Sequence, residues 1–172
     1  MQDFSEKVIK LLTQAQVEFV VVGGVSAVLQ GAPIVTKDMD VCYRRTPENI
    51  ARLAKALVPL QPRLRGFPPD LPHIFDERSI LLGSNFTLLV GNEELDLLGV
   101  MSGLGGYEAV VGQADEMLIS DCRVKVLSLA QLIITKEAAG RPKDLAVIPT
   151  LRATLEMQQH QDKSPDDSLP ST

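Results

Sequence analysis

The spacing of apolar residues in the first part of the chain predicts a helix, a buried strand and a sharp turn. Near the start, apolar side chains recur at helical intervals, at Phe4, Val8, Leu11 and Leu12. The run Phe19–Val22 is short, continuously apolar and rich in valine, a pattern typical of a strand buried on both faces. Gly23-Gly24 ends this strand, because glycine adopts backbone conformations that interrupt regular structure.

The rest of the pattern predicts helices and strands in mixed order. Helices are predicted over 25–30, 48–58, 107–111, 129–139 and from 142 to about 158. Strands are predicted over 39–43, 79–82, 86–90, 94–98, 116–119 and 123–126. Thr46 and Pro47 suit the N-cap and the first turn of the 48–58 helix. Five prolines between positions 59 and 73 predict a long irregular loop there.

These elements predict an α/β (α+β) fold, with a small mixed β-sheet, helices packed against it and a C-terminal helical segment. We expect a single domain over 1–159, whose helical end occupies about 128–159. The remaining segment, 160–172, is polar and rich in proline and serine, which predicts a disordered tail.

Composition fits a soluble globular protein of one domain. The chain has 172 residues, of which 45% are hydrophobic and 23% are charged. No apolar run approaches the ~18 residues that a membrane span needs. Charged residues interrupt the first ten positions, which predicts an amphipathic helix rather than a signal peptide. We therefore expect a cytoplasmic protein with no membrane partner.

The net charge of -5 gives the chain no overall attraction to nucleic acid, although a local basic patch stays compatible with it. Aromatic residues make up only 4% of the chain, which leaves few platforms for stacking single-stranded bases. Cys42 and Cys122 lie far apart in apolar contexts, and no Cys/His cluster has zinc-ligand spacing. We expect both to be buried free thiols.

Two carboxylates two positions apart are the first sign of chemistry. Strand alternation places Asp38 and Asp40 on one face of the predicted 39–43 strand and its preceding residue, no more than ~7 Å apart. Two like charges at that separation repel unless a cation compensates them, and a hard divalent cation with oxygen ligands is the natural compensator. The alternative is a solvated strand end, or a turn capped by Asp38.

Two further features narrow the interpretation. A Gly-Gly turn followed by a short helix beginning near Ser26 allows a phosphate to approach the backbone closely. Asp96 stands among leucines in the predicted 94–98 strand, where a carboxylate needs a partner or a role. It is either the partner of an arginine or of a capped backbone group, or it is a general base or a shared ligand of a second metal ion.

Together these segments resemble the DNA polymerase beta-like nucleotidyltransferase superfamily. The resemblance is carried by Val22-Gly23-Gly24-Val25-Ser26-Ala27, Gly31-Ala32-Pro33, Thr36-Lys37-Asp38-Met39-Asp40, Asp96, the 126–133 stretch, Lys136 and Gly140-Arg141-Pro142-Lys143-Asp144. The most similar pattern is that of minimal bacterial members, including the abortive-infection (AbiEii-like) toxin nucleotidyltransferases. It spans roughly residues 19–151 and implies a nucleotidyltransferase-type sheet.

The resemblance also implies roles for particular residues. Asp38, Asp40 and Asp96 would be catalytic and would bind Mg²⁺ (or Mn²⁺), with Asp96 activating the acceptor hydroxyl. Nucleotide-binding residues would be Gly23, Gly24, Ser26, Lys136 and Lys143. Asp144 would orient Lys143 or Arg141. For the basic residues, the alternative is a solvated helix face.

The implied activity is transfer of a nucleoside monophosphate from a nucleoside triphosphate to a hydroxyl of a protein, an RNA or a small molecule. The alternative is a catalytically inactive nucleotide-binding protein, or one half of a toxin–antitoxin pair with an antitoxin partner. Relatives often have Gly-Ser in place of Gly23-Gly24 and an arginine where this chain has Ile34 and Val35.

Overall fold

The computed structural model describes residues 3–68, 70 and 75–162. The helices are α1 (Asp3–Gln14), α2 (Gly23–Leu29), α3 (Pro47–Leu57), α4 (Glu77–Leu82), α5 (Tyr107–Val111), α6 (Leu129–Ala139) and α7 (Pro142–Asp162), with a 3-10 turn at Val58–Leu60. The strands are β1 (Phe19–Val22), β2 (Met39–Tyr43), β3 (Arg63–Leu64), β4 (Asn85–Val90), β5 (Glu93–Leu98), β6 (Val100–Met101), β7 (Gly105–Gly106), β8 (Ala114–Ile119) and β9 (Cys122–Leu127).

Seven strands form one mixed sheet in the order β3-β4-β5-β2-β1-β9-β8. Strand β2 pairs in parallel with β5 and antiparallel with β1, and β1 pairs in parallel with β9. The short strands β6 and β7 form a separate antiparallel ribbon. The predicted small mixed sheet, with helices against it and a helical C-terminal segment, is confirmed.

Helices cover both faces of the sheet, and the hydrophobic core is accordingly divided in two. One cluster joins α1, α3 and α4 to side chains that include Val21, Met39 and Val41. The second joins α5, α6 and α7 to the opposite face, through residues such as Val22 and Cys42. Because successive strand residues point to opposite faces, β2 supplies both clusters.

Local signals in the sequence account for several boundaries. The Thr46 side chain accepts a hydrogen bond from the Asn49 backbone N–H at 3.3 Å, with Pro47 in the first turn of α3. Helix α6 ends at Gly140, whose φ of 62° is left-handed. Ser128 occupies the N-cap position of α6, but its side chain makes no capping hydrogen bond.

One predicted strand is wrong: residues 79–82 lie in helix α4. Asp76 begins this helix by accepting a hydrogen bond from the Ser79 backbone N–H at 2.9 Å. A run of four mostly apolar residues fits either element, so the periodicity could not distinguish them. The loop predicted over 59–73 is not wholly irregular, since it contains β3 at the edge of the sheet.

Helix α7 continues to Asp162, two residues past the start of the predicted tail. The rest of that tail lies outside the described residues. In the part of the chain that the structure describes, no helix is both long enough and apolar enough to cross a membrane.

Candidate active site

The backbone of Gly23 and Gly24 contacts the carboxylate of Asp40. Gly23 follows β1 directly and has a φ of +64°, which favours glycine. A β-carbon placed on Gly23 would lie 2.0 Å from Oδ2 of Asp40, so no larger residue fits without displacing that carboxylate. The backbone N–H of Gly24 donates a hydrogen bond to Asp40. A β-carbon on Gly24 would similarly lie 2.3 Å from Oγ1 of Thr36.

Asp40 and Asp96 are direct neighbours across the parallel pair β2 and β5. Residues two positions apart on a strand point to the same face, so Asp40 lies on the face of Cys42 and Asp96 on the face of Leu98. This is the face that the C-terminal helices cover. The pKa of Asp40 is raised to about 7, first by burial and then by the negative charges of Asp96 and Asp38. Lys136 and the Gly24 N–H oppose this shift.

Asp96 carries an unsatisfied polar atom. In the described part of the chain, its Oδ1 is buried and has no hydrogen-bond partner. The arginine partner that was the alternative for Asp96 is therefore not seen among the hydrogen bonds and ion pairs of the described residues. A buried acceptor without a partner is costly, and a bound cation or a donor from a substrate would satisfy it.

A cluster of three charged side chains faces the carboxylates from α6 and α7. Asp144 is 3% exposed. Its Oδ1 accepts a hydrogen bond from Lys136 Nζ at 3.0 Å, and its Oδ2 accepts one from Arg141 Nε. Burial alone would raise the pKa of Asp144, but these two cationic donors outweigh it and lower that pKa. Asp144 therefore orients Arg141, which was one of its two expected partners, and also Lys136. No hydrogen bond joins Asp144 to Lys143, the other expected partner.

Two cavities meet at this cluster. The carboxylate cavity, about 210 Å³, is lined by residues that include Gly24, Thr36, Asp38, Asp96 and Lys143. The α6 cavity, about 310 Å³, lies between β6 and α6, and its lining includes Leu98, Met101, Ser102, Leu132 and Thr135. Five residues line both cavities: Gly23, Asp40, Lys136, Arg141 and Asp144.

The structure thus brings together seven of the eight residues that the sequence singled out. Asp38, Asp40, Asp96, Gly23, Gly24, Lys136 and Lys143 all line the carboxylate cavity. Ser26 differs: it is fully buried, and its hydroxyl donates to the Gly23 carbonyl at 3.1 Å. Its part in nucleotide binding stays a prediction, since in this structure the hydroxyl bonds within the first turn of α2, which Gly23 and Gly24 begin.

The donor set fits a magnesium ion in part. Within 3–68, 70 and 75–162, no group of three or more His, Cys, Asp or Glu side chains is already arranged to hold a metal. Magnesium, however, commonly takes only one or two carboxylates, and completes its shell with water and substrate phosphate. Asp40 and Asp96 suit that role, because they are adjacent and their negative charges repel each other. In addition, Oδ1 of Asp96 has no hydrogen-bond partner.

No family model matches the chain, and no curated protein matches it in sequence. Solved structures do match over most of its length. That of the antibiotic-resistance factor ANT(2'')-Ia with adenylyl-2''-tobramycin is 15% identical, with a TM-score of 0.57, covering 92% of this chain and 91% of that chain. That of the lincosamide antibiotic adenylyltransferase LnuA with lincomycin is 11% identical, with a TM-score of 0.59, covering 90% and 98%.

A third match is an antigenic nucleotidyltransferase-like protein from Paracoccidioides brasiliensis, 16% identical, with a TM-score of 0.52, covering 90% of this chain and 74% of that chain. At such identities the matches establish the fold. The chain has the nucleotidyltransferase fold, as its Gly-Gly turn and carboxylates indicated. The abortive-infection subclass is not established by these matches and stays a prediction.

Sequence reasoning missed the α6 cavity and the role of Thr36. The cavity is formed by residues from β5, β6 and α6 that are distant along the chain, so no local pattern marks it. Thr36 packs against Gly24, and the only available signal was its place in the segment that resembled the nucleotidyltransferase motif.

Proposed function

We propose that this protein is a nucleotidyltransferase that transfers a nucleoside monophosphate from a nucleoside triphosphate to a hydroxyl group. The observation that carries the proposal is the pairing of Asp40 with Asp96 beside the backbone of Gly23, with one buried Asp96 oxygen unpaired. Two adjacent carboxylates against a phosphate-accessible glycine turn suit phosphoryl chemistry better than they suit a stable core.

In this mechanism the acceptor oxygen attacks the α-phosphorus of the triphosphate, and the bond from that phosphorus to the leaving pyrophosphate breaks. Asp96 accepts the proton of the hydroxyl, since its free oxygen is available as a base. Asp40 and Asp96, with Asp38 nearby, would hold Mg²⁺ or Mn²⁺, which when bound neutralises charge on the phosphates. The Gly23-Gly24 backbone and Lys136 position the triphosphate.

A small molecule is the acceptor that the geometry favours over an RNA end or a protein. The α6 cavity is a concave, partly open space between β6 and α6, and its volume of about 310 Å³ lies at the lower end of the range for small-molecule sites. Two of the matched structures, ANT(2'')-Ia and LnuA, are of proteins whose names or bound compounds involve adenylylation of antibiotics. An antitoxin partner has no comparable support.

The proposal is tested by incubating the protein with each of the four nucleoside triphosphates, Mg²⁺ or Mn²⁺, and a library of hydroxyl-bearing small molecules. Pyrophosphate release that depends on the acceptor is the expected result. Asp40→Asn and Asp96→Asn should each lower the rate at least about a hundredfold. Asp121→Asn, an exposed acid in the left-handed β8–β9 turn, is the matched control and should leave the rate unchanged.

The second candidate is a catalytically inactive nucleotide-binding protein on the same fold. Ile34 and Val35 favour it, because they line the carboxylate cavity where relatives often carry an arginine. If the protein binds a triphosphate but releases no pyrophosphate with every metal and acceptor tried, this second candidate is favoured over the enzyme. Failure of all four triphosphates to bind would remove both.

A further inference from the structure

The two cavities share one wall, and each cavity also has lining residues of its own. Gly24, Thr36 and Lys143 line only the carboxylate cavity, whereas Met101 and Leu132 line only the α6 cavity. In a nucleotidyl transfer, the donor and the acceptor have one reacting group in common, which is the phosphoryl that moves between them. Residues that line both cavities therefore surround the place where that phosphoryl passes.

Lys136 is the shared residue that is best placed to bind it. Its side chain is 15% exposed, whereas that of Arg141 is 62% exposed and extends toward solvent. Lys136 lines both cavities together with Asp40, so its ammonium faces the same space as that carboxylate. An ammonium has three donors, and the bond to Asp144 uses one, so two remain for phosphoryl oxygens.

Asp144 supplies the tether that a long lysine side chain needs. It lies in the first turn of α7, while Lys136 lies in the last turn of α6, and the left-handed Gly140 between them folds the two turns together. Fixing a lysine in one rotamer costs conformational entropy, which a buried carboxylate offsets in advance of substrate binding. With two cations and one anion, the cluster retains one positive charge.

We infer that Lys136 contacts the transferred α-phosphoryl group from the junction of the two cavities, and that Asp144 is the positioning residue that holds it there. The inference rests on the proposed function and adds which phosphate Lys136 binds. Lys143, confined to the carboxylate cavity, contacts the β- or γ-phosphate instead. The two lysines that the sequence grouped together as nucleotide-binding thus differ in role.

Ligand truncation tests the assignment without requiring turnover. The probes are the α,β-methylene analogue of whichever triphosphate binds best, and the matching nucleoside monophosphate, which carries only an α-phosphate. Isothermal titration with Mg²⁺ present gives both dissociation constants. Lys136→Met should weaken both probes by a similar factor of about ten or more, since each loses one charge-assisted hydrogen bond. Lys143→Met should weaken the triphosphate analogue and leave the monophosphate within about twofold.

Asp144→Asn tests the tether. This substitution should weaken the binding of both probes. In the Lys136→Met background it should cause no further loss of affinity, because Asp144 acts through that lysine. Asp144→Glu, which keeps the charge, should restore part of the loss. If Asp144→Asn does not fold, Asp144→Glu alone and in the Lys136→Met background supplies the same comparison.

Glu137→Gln is the matched control, because it breaks the 2.6 Å ion pair with Arg152 that joins the same two helices. Glu137 lines neither cavity, so both dissociation constants should be unchanged. A Lys136→Met protein that binds the monophosphate normally and loses only the triphosphate would overturn the inference. Wild-type protein that binds no nucleotide at all would instead overturn the proposed function.

Discussion

Gly23 lies so close to Asp40 that a β-carbon at position 23 would stand 2.0 Å from the Oδ2 of that carboxylate. This contact and the positive φ of 64° are two separate reasons for glycine, one concerning the site and one concerning the backbone. They can be separated by experiment, because Gly31 also has a positive φ, of 87°, but has open space where its β-carbon would be.

Gly23→Ala and Gly31→Ala should therefore differ in their effect on binding more than on stability. Each substitution places a β-carbon in the left-handed region, at a cost of about 1–2 kcal/mol of unfolding free energy. Only Gly23→Ala displaces Asp40, so only it should weaken Mg²⁺-dependent nucleotide binding, by at least about tenfold. Urea unfolding and titration with a triphosphate analogue measure the two effects. Equal nucleotide affinity in both variants would contradict the steric argument.

Asp40 should make the metal-free protein less stable as pH rises. Its pKa is about 7 in the folded chain and 3.8 in the unfolded chain, so the folded state holds the extra proton between these values. Stability should fall through this window, by up to about 4 kcal/mol, and should not fall further above pH 8. Thermal unfolding in a chelator at pH 5 and pH 8 measures the part of this loss that falls above pH 5, about 3 kcal/mol.

Asp40→Asn removes the titrating group and should reduce that fall, while Asp121→Asn should keep it. Mg²⁺ at pH 8 should raise the melting temperature of the wild type and have a smaller effect on Asp40→Asn. A wild-type protein whose stability changes with pH no more than that of Asp40→Asn would show that Asp40 is not protonated in the folded state at neutral pH.

The two cysteines should differ in reactivity. Cys42 is fully buried, and its burial, with a smaller contribution from Glu108, raises the pKa of the thiol to about 12. Cys122 is half-buried in β9. At pH 8 a thiol reagent should label Cys122 in the native protein within minutes, and Cys42 only after unfolding. Mass spectrometry after peptide digestion identifies the labelled residue, and fast native labelling of Cys42 would contradict its burial.

Asn49 should be important for stability and not for chemistry. It is fully buried, its Nδ2 donates to the backbone carbonyls of Glu18 and Arg44, and its Oδ1 accepts the Glu18 backbone N–H at 2.7 Å. Asn49→Ala leaves these groups unpaired and should cost about 2–4 kcal/mol. Urea unfolding measures the cost. Nucleotide affinity below the unfolding transition should equal that of the wild type, since Asn49 lies on neither cavity.

Much of the fold was predictable because short-range signals agreed with the tertiary structure. The valine run of β1, the Thr46-Pro47 start of α3 and the Gly140 stop of α6 each express a local preference that the fold retains. Helix α4 was not predictable from periodicity, because six residues cannot display a helical period and its Asp76 cap was the sole clear signal.

The candidate site was predictable where its residues are close in sequence. Gly23, Gly24, Asp38 and Asp40 form one segment, and Asp96 was marked by its unusual place among leucines. The bond from Asp144 to Arg141 was one of two partners expected from the sequence, but its bond to Lys136 was not predictable, because residues 136 and 144 come into contact only through the angle between α6 and α7. The same holds for the register that sets Asp40 opposite Asp96.

The alternation of side chains along strand β2 ties the register of the sheet to the candidate site. Its odd positions, Met39 and Val41, fill one core, while Asp40 on the other face serves the site. A slip of one residue between β1 and β5 would bury Asp40 beneath α1 and α3 and turn a core side chain toward the substrate. Loss of correct strand pairing should therefore also abolish the nucleotide binding proposed above. The fraction of molecules that bind a nucleotide can then report the correctly folded fraction in any preparation or library of variants.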